Sequence, residues 1–157
     1  MVNSNNAEPY ASFTDLLEAK SRLEAYYEVN FRNPAVCDRQ KAASDWYAKG
    51  IAAIDDGDVD LGLDLISAAV KIQKAVLYHA YRSVAGSLIL KARDNHANAP
   101  VKLSSCEEKI ERAKDLYKSA RRSASLRDSI NYYVAALCAI EEVSGVSPVT
   151  GGKISLP

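Results

Sequence analysis

After the Asp56-Gly57-Asp58 break no proline occurs until Pro100, so a single helix can run from near Val59 to about Asp94. Gly86 is its only weak point beyond the first turns. Its apolar residues, among them Leu61, Leu65, Ile66, Ala69, Ile72, Val76, Ala80, Val84, Leu88 and Ile89, cover more than one face. A helix apolar on several faces is stable only with others packed around it. The predicted fold is therefore all-α, a compact bundle of about five helices with this long helix at its centre.

The other helices follow from spacing and caps. Phe13, Leu16, Leu17, Leu23, Tyr27 and Phe31 fall near helical spacing, which predicts a first helix from about Ser12 to Asn30. Asn33-Pro34 ends it, because a residue before proline is pushed out of the α region. Asp38 is the expected N-cap of a second helix reaching about Asp55. Asn95 to Leu103 reads as a loop. Ser105 with Glu108 has the form of a capping box, opening a fourth helix to about Ser123. Ser125 with Asp128 opens a fifth, ending near Ser144. No run of period-two alternation argues for strands. Residues 1–10 are expected to form a flexible arm, 11–144 a single helical domain, and 145–157, rich in Gly and Pro, a flexible tail.

Composition narrows the function classes. The 157 residues carry 20 basic and 20 acidic side chains, and a chain with no positive surplus is a poor candidate for general nucleic-acid binding. Cys37, Cys106 and Cys138 are scattered and odd in number, which fits a reducing, cytoplasmic setting rather than a disulfide framework. The N-terminus MVNSNNAEPYASF has neither the basic nor the apolar region of a secretory signal. The longest uncharged run of the most apolar region, Ser83 to Leu90, is far short of the roughly 20 residues a membrane span needs.

Residues 43–72 read as two helices folded back to back around Gly57-Asp58, with small residues where helices touch. Gly50, Gly62 and Ala69 let the backbones approach, and Trp46 and Ile66 are placed to fill the space between them. This hairpin resembles a tetratricopeptide (TPR) repeat, whose pattern opens W-x2-L-G-x2-Y. Trp46 and Gly50 match that opening, while Lys49, Ala53 and Lys74 stand where the family places leucine, tyrosine and the closing proline. A second, fainter copy runs from Ala113 to Ile140 through Ala120, Ser129, Tyr133 and Ala136, and Ala69 and Ala136 lie about two 34-residue periods apart. The resemblance implies a module that binds other proteins. Residues 105–144 are also similar in packing style to microtubule-interacting-and-trafficking domains.

Chemistry has few footholds. Asp56, Asp58 and Asp60 invite a calcium reading, but Leu61 and Ser67 stand where an EF-hand loop needs glycine and a bidentate glutamate. The aspartates read instead as caps of the following helix. Arg93 and His96 are the residues on which a helical-bundle nuclease would be centred, but such families space the pair more widely, and a polar helix end explains both without catalysis. His79, between Tyr78 and Tyr81, has no HExxH or ExxH context and reads as a core or interface histidine. The cysteines read as packing residues, Cys138 most clearly because Leu137 and Ala139 flank it. No catalytic, cofactor or metal residue is assigned.

The clearest surface signal is charge polarity. Lys109, Arg112, Lys114, Lys118, Arg121, Arg122 and Arg127 gather on the fourth and fifth helices, and Asp45, Asp55, Asp56, Asp58, Asp60 and Asp64 around the second and third. The pattern fits a solvated face, an intramolecular match or a head-to-tail contact between copies. Glu107, Glu108, Glu111 and Asp115 interleave with the basic side and weaken a nucleic-acid reading. Tyrosine, nine residues against two Phe and one Trp, suits interfaces as well as cores. The interaction candidates are Tyr26, Tyr27, Trp46, Tyr81, Tyr117, Tyr132, Arg121 and Arg122. The expectation is a non-enzymatic adaptor or assembly subunit that needs no cofactor. The alternatives are a self-assembling structural subunit, such as a viral or phage component, and a nuclease.

Overall fold

The Asp56-Gly57-Asp58 break is a helix stop and a helix start fused together. In the computed structural model, which describes residues 4–27, 29–31, 33–144 and 154–156, Gly57 takes φ +94°, a left-handed conformation that favours glycine. Its N–H donates to the Ile54 carbonyl and that of Asp58 to the Ala53 carbonyl, satisfying the last acceptors of α2 (Pro34–Asp55). Asp58 then accepts from the Leu61 N–H at 3.2 Å and caps α3 (Val59–Asn98).

The fold is all-α, with α1 (Ser4–Tyr27), α4 (Ser104–Arg122) and α5 (Leu126–Ser144) completing the set of five described helices. The unbroken stretch beyond Val59 is one helix of 40 residues. Ser125 caps α5 as expected, its Oγ accepting from the Asp128 N–H at 3.3 Å. No described helix is long and apolar enough to cross a membrane.

Five boundaries differ from the spacing. Helix α3 runs on to Asn98, so the expected loop from Asn95 is helical for its first four residues, with no proline before Pro100 to stop it. Helix α1 begins at Ser4 rather than near Ser12, because apolar periodicity starts at Phe13, which is buried, and is blind to the polar sequence before it. It ends at Tyr27, and Val29–Phe31 instead forms β1, paired in parallel with β2 (Ile154–Leu156). Three-residue strands are too short to betray alternation. Helix α2 starts at Pro34 and not at Asp38: proline suits the first helical position, and Asn33 Oδ1 caps it by accepting from Ala35 N at 2.9 Å. Helix α4 has no capping box, since it starts at Ser104 behind Leu103, which makes no side-chain cap, and Ser105 lies inside it. Residues 1–3, 145–153 and 157 of the arm and tail lie outside the described residues.

The described chain divides into two compact units. The first takes the chain up to Arg22 together with Asn33–Leu77. Its core is Phe13 of α1, Ala43 of α2 and Ala69 and Val70 of α3, with Phe13 stacked on Tyr47 at 4.2 Å between ring centroids. Gly50 and Gly62 mark the α2–α3 contact, where a β-carbon on Gly50 would stand 2.6 Å from Ile66 Cγ1 and 2.9 Å from the Gly62 carbonyl oxygen. Ile66 is fully buried there, but Trp46, 39% exposed, does not fill the contact and carries Lys49 over its ring. The polar exception to this apolar seam is a reciprocal amide pair. Gln40 Nε2 donates to Gln73 Oε1 at 2.8 Å, and Gln73 Nε2 to Gln40 Oε1 at 3.0 Å.

The second unit takes Leu23–Arg32 and the chain from Tyr78 onward. Its core joins Leu23 and Tyr27 of α1, the face of α3 from Ala80 to Ala92, and the inner faces of α4 and α5. The α4–α5 hairpin closes on small residues: Ala113, Ala120, Ser129 and Ala136 are all buried, and Ser129 Oγ donates to the Ala120 carbonyl at 2.7 Å.

Candidate functional site

A cluster of phenols lines the inside of the second unit. Tyr133 of α5 is fully buried, with Tyr117 of α4 edge-on at 5.3 Å and Tyr78 of α3 tilted against it at 5.6 Å. The Tyr133 hydroxyl is buried without a hydrogen-bond partner of good geometry. Burial, and after it the neighbouring Tyr78 phenol, pushes its pKa above the usual tyrosine range. The neighbouring Tyr117 phenol raises the pKa of Arg82 above its ordinary value. The ring of Tyr117 therefore has one side in the core and its edge toward the surface between α3 and α4.

That surface is a groove of about 360 Å³. Gly86, Ile89 and Leu90 of α3 form one wall, and Lys114, Tyr117, Lys118 and Arg121 of α4 the other. Gly86 leaves the wall low: the atoms nearest a β-carbon there would be those of the Tyr117 phenol, at ordinary contact distances from 3.5 Å. Leu90 is 57% exposed, a large apolar side chain standing in water beside three cations. Lys114 is held by Glu111 at 3.0 Å, whereas Lys118, Arg121 and Arg122 form no ion pair among the described residues. A further hollow of about 300 Å³ between Lys118, Arg121 and Arg122 continues the groove toward the end of α4.

Helix geometry explains how α4 produces this edge. Ile110, Ala113 and Ala120 turn inward, Glu107, Glu108, Glu111 and Asp115 concentrate in the first part, and Lys118, Arg121 and Arg122 fall in the last turns. Cations there are favoured by the negative end of the helix dipole, by about 0.3–1 kcal/mol each. The dipole accounts for their presence, but not for the exposed Leu90 beside them.

The sequence-derived candidates scatter over the molecule. Tyr117 and Arg121 meet in the groove and Arg122 borders it. Tyr26 and Tyr132 are exposed, and Tyr81 is half-buried, its pKa raised by burial. Tyr27 is a core residue, whose hydroxyl donates to Glu141 Oε1 at 2.6 Å; burial first, then this bond, raises its pKa. Cys138 is exposed rather than packed, because the inward face of α5 is Tyr133, Ala136, Leu137 and Ile140, and position 138 turns away from it. Spacing did not single out Leu90, and marked Lys118 only as one of seven cations on the fourth and fifth helices. The signal for both was an apolar residue at the edge of a broad helical face opposite a basic helix end.

Arg93 and His96 share a second hollow of about 330 Å³ with Glu107, Ile110, Glu111 and Lys114. His96 Nε2 lies 3.2 Å from Glu107 Oε1, and Lys102 Nζ donates to the carbonyls of His96 and Ala97. Glu107 and Glu111 share this hollow with Arg93 and Lys114, and the Lys102 contacts close the helix end. The acidic turn at Asp56–Asp60 is likewise a cap, and among the described residues no group of three His, Cys, Asp or Glu side chains has the geometry to hold a metal ion. Comparison with protein families, with curated proteins and with solved structures finds nothing that matches this chain.

Proposed function

We propose that this chain is a non-enzymatic protein–protein interaction module, an adaptor or a subunit of a larger assembly, whose partner seats in the α3–α4 groove. One observation carries the reading: Leu90 stands exposed over an apolar floor of Ile89 and Tyr117, under a rim of Lys118 and Arg121. An exposed leucine in a groove is stabilised by a partner that covers it, and the rim selects a partner with acidic residues. The groove is also a better fit to a helix or turn than to a small ligand, being open and long rather than enclosed. The TPR-like hairpin of residues 43–72 supports the same class. Three cysteines joined in no disulfide fit a cytoplasmic setting.

Leu90→Asp is the test, because the side chain is exposed and its replacement leaves the core untouched. Tagged wild-type protein should retain a partner, itself or another protein, that Leu90→Asp releases while melting at the same temperature. A wild type that stays monomeric and retains nothing overturns the reading. A self-assembling subunit is the second reading, favoured by an acidic turn that matches the groove.

A further inference from the structure

The α2–α3 turn of the first unit presents what the groove of the second unit lacks. Val59 and Leu61 are 46% and 48% exposed there, at the start of a helix whose neighbouring side chains bury their own apolar faces. Asp55, Asp56, Asp60 and Asp64 surround them, all exposed. Capping explains Asp58, which accepts from Leu61 N, and the helix dipole favours Asp60. Neither accounts for two large apolar side chains left in water, nor for the three further carboxylates of Asp55, Asp56 and Asp64.

We propose that the occupant of the α3–α4 groove is the α2–α3 turn of a second copy of this chain. This rests on the interaction reading above and names its partner. Leu61 and Val59 cover Leu90, while Asp60 and Asp64 meet Lys118 and Arg121, the groove cations that have no partner among the described residues. Charges of opposite sign brought together at a rim steer association and fix its register. The two surfaces are different, so the contact is heterologous: each copy gives its turn to one neighbour and receives the turn of another. Such contacts close into rings or extend as chains, and their salt dependence follows from the screening of exposed charges. An acidic peptide from another protein and a nucleic-acid strand are the competing occupants. The zero net charge of the chain and the carboxylates along α4 speak against the strand.

A charge exchange tests it by sedimentation. Lys118→Glu/Arg121→Glu makes the groove acidic, and Asp60→Lys/Asp64→Lys makes the turn basic; all four side chains are exposed, and circular dichroism melts check that each variant folds. Each variant alone should associate about tenfold more weakly than the wild type. Their equimolar mixture should recover association, because both possible contacts then join opposite charges. The proposal is overturned if the wild type remains a monomer at every concentration, if either variant associates like the wild type, or if the mixture stays apart. A monomeric wild type that still retains another protein through Leu90 would overturn this inference and leave the interaction reading standing.

Discussion

Gly50 and Gly62 pass so close across the α2–α3 contact that a β-carbon on Gly62 would lie 2.7 Å from the Gly50 carbonyl oxygen. The same β-carbon would also collide with Ile54 Cγ1. Backbone cannot yield as a flexible side chain does. Gly62→Ala and Gly50→Ala are therefore expected to destabilise the first unit by about 2 kcal/mol or more, outweighing the roughly 1 kcal/mol that alanine gains over glycine in a helix. Gly86→Ala, whose β-carbon would have Tyr117 as its nearest neighbour at 3.5 Å, should instead stabilise the protein by about 0.5–1 kcal/mol. Urea titration of the three variants measures both signs.

The amide pair of Gln40 and Gln73 should behave as a unit. Gln73→Leu alone takes both Gln73 bonds from the partly buried Gln40 amide and leaves it only the 3.3 Å bond to Ser44 Oγ, at an expected cost of about 2 kcal/mol. Gln40→Leu/Gln73→Leu replaces both partners with apolar groups and should return to within about 1 kcal/mol of the wild type. A double-mutant cycle by chemical denaturation reads the coupling, and additive losses would show that the pair is not coupled.

Two buried phenols should respond in opposite directions. Tyr27→Phe removes a hydrogen bond to the Glu141 carboxylate and should cost about 1–2 kcal/mol. Tyr133→Phe removes a buried hydroxyl that lacks a good partner and should gain about 1 kcal/mol. Thermal melts of the two variants decide whether the hydroxyl of Tyr133 is as poorly satisfied as its geometry indicates.

Alkaline pH should loosen the fold through these same residues. Folding raises the pKa of Tyr27, Tyr81 and Tyr133 above the ordinary value of 10.0. Their contribution is fully present below that value and is lost as the pH rises past it, because the unfolded chain then releases protons that the native chain keeps. Stability should thus be level up to the ordinary tyrosine pKa and fall above it, by up to about 1.4 kcal/mol per pH unit for each residue. Tyr27→Phe/Tyr133→Phe should flatten the fall, which denaturant midpoints across a pH series would measure.

The sequence made some of this legible and left the rest to geometry. Absence of proline between Val59 and Pro100 was enough to establish α3, and Gly57-Asp58 was enough for the turn, because both are covalent constraints on a few residues. Gly50, Gly62, Ala69, Ala120, Ser129 and Ala136 could be picked as contact residues because close packing admits only small side chains. Trp46 misled because a large aromatic in an amphipathic helix is assigned to the core by size, while its exposure depends on where neighbouring helices stop. Cys138 misled in the same way: apolar neighbours in sequence point in different directions on a helix. The groove was invisible because it belongs to neither α3 nor α4 by itself. Leu90 looked like one more apolar residue of a long helix, and Lys118 like one more cation.

Light scattering across a concentration series, run on wild type and Leu90→Asp side by side at low and high salt, tests the groove most directly. The expected result is a wild-type mass that rises above 17.1 kDa with concentration at low salt and returns toward it at high salt. Leu90→Asp should hold at 17.1 kDa throughout. A wild type fixed at the monomer mass in every condition, or a Leu90→Asp variant that grows as the wild type does, would contradict the assignment of this surface as the place where copies of the chain meet.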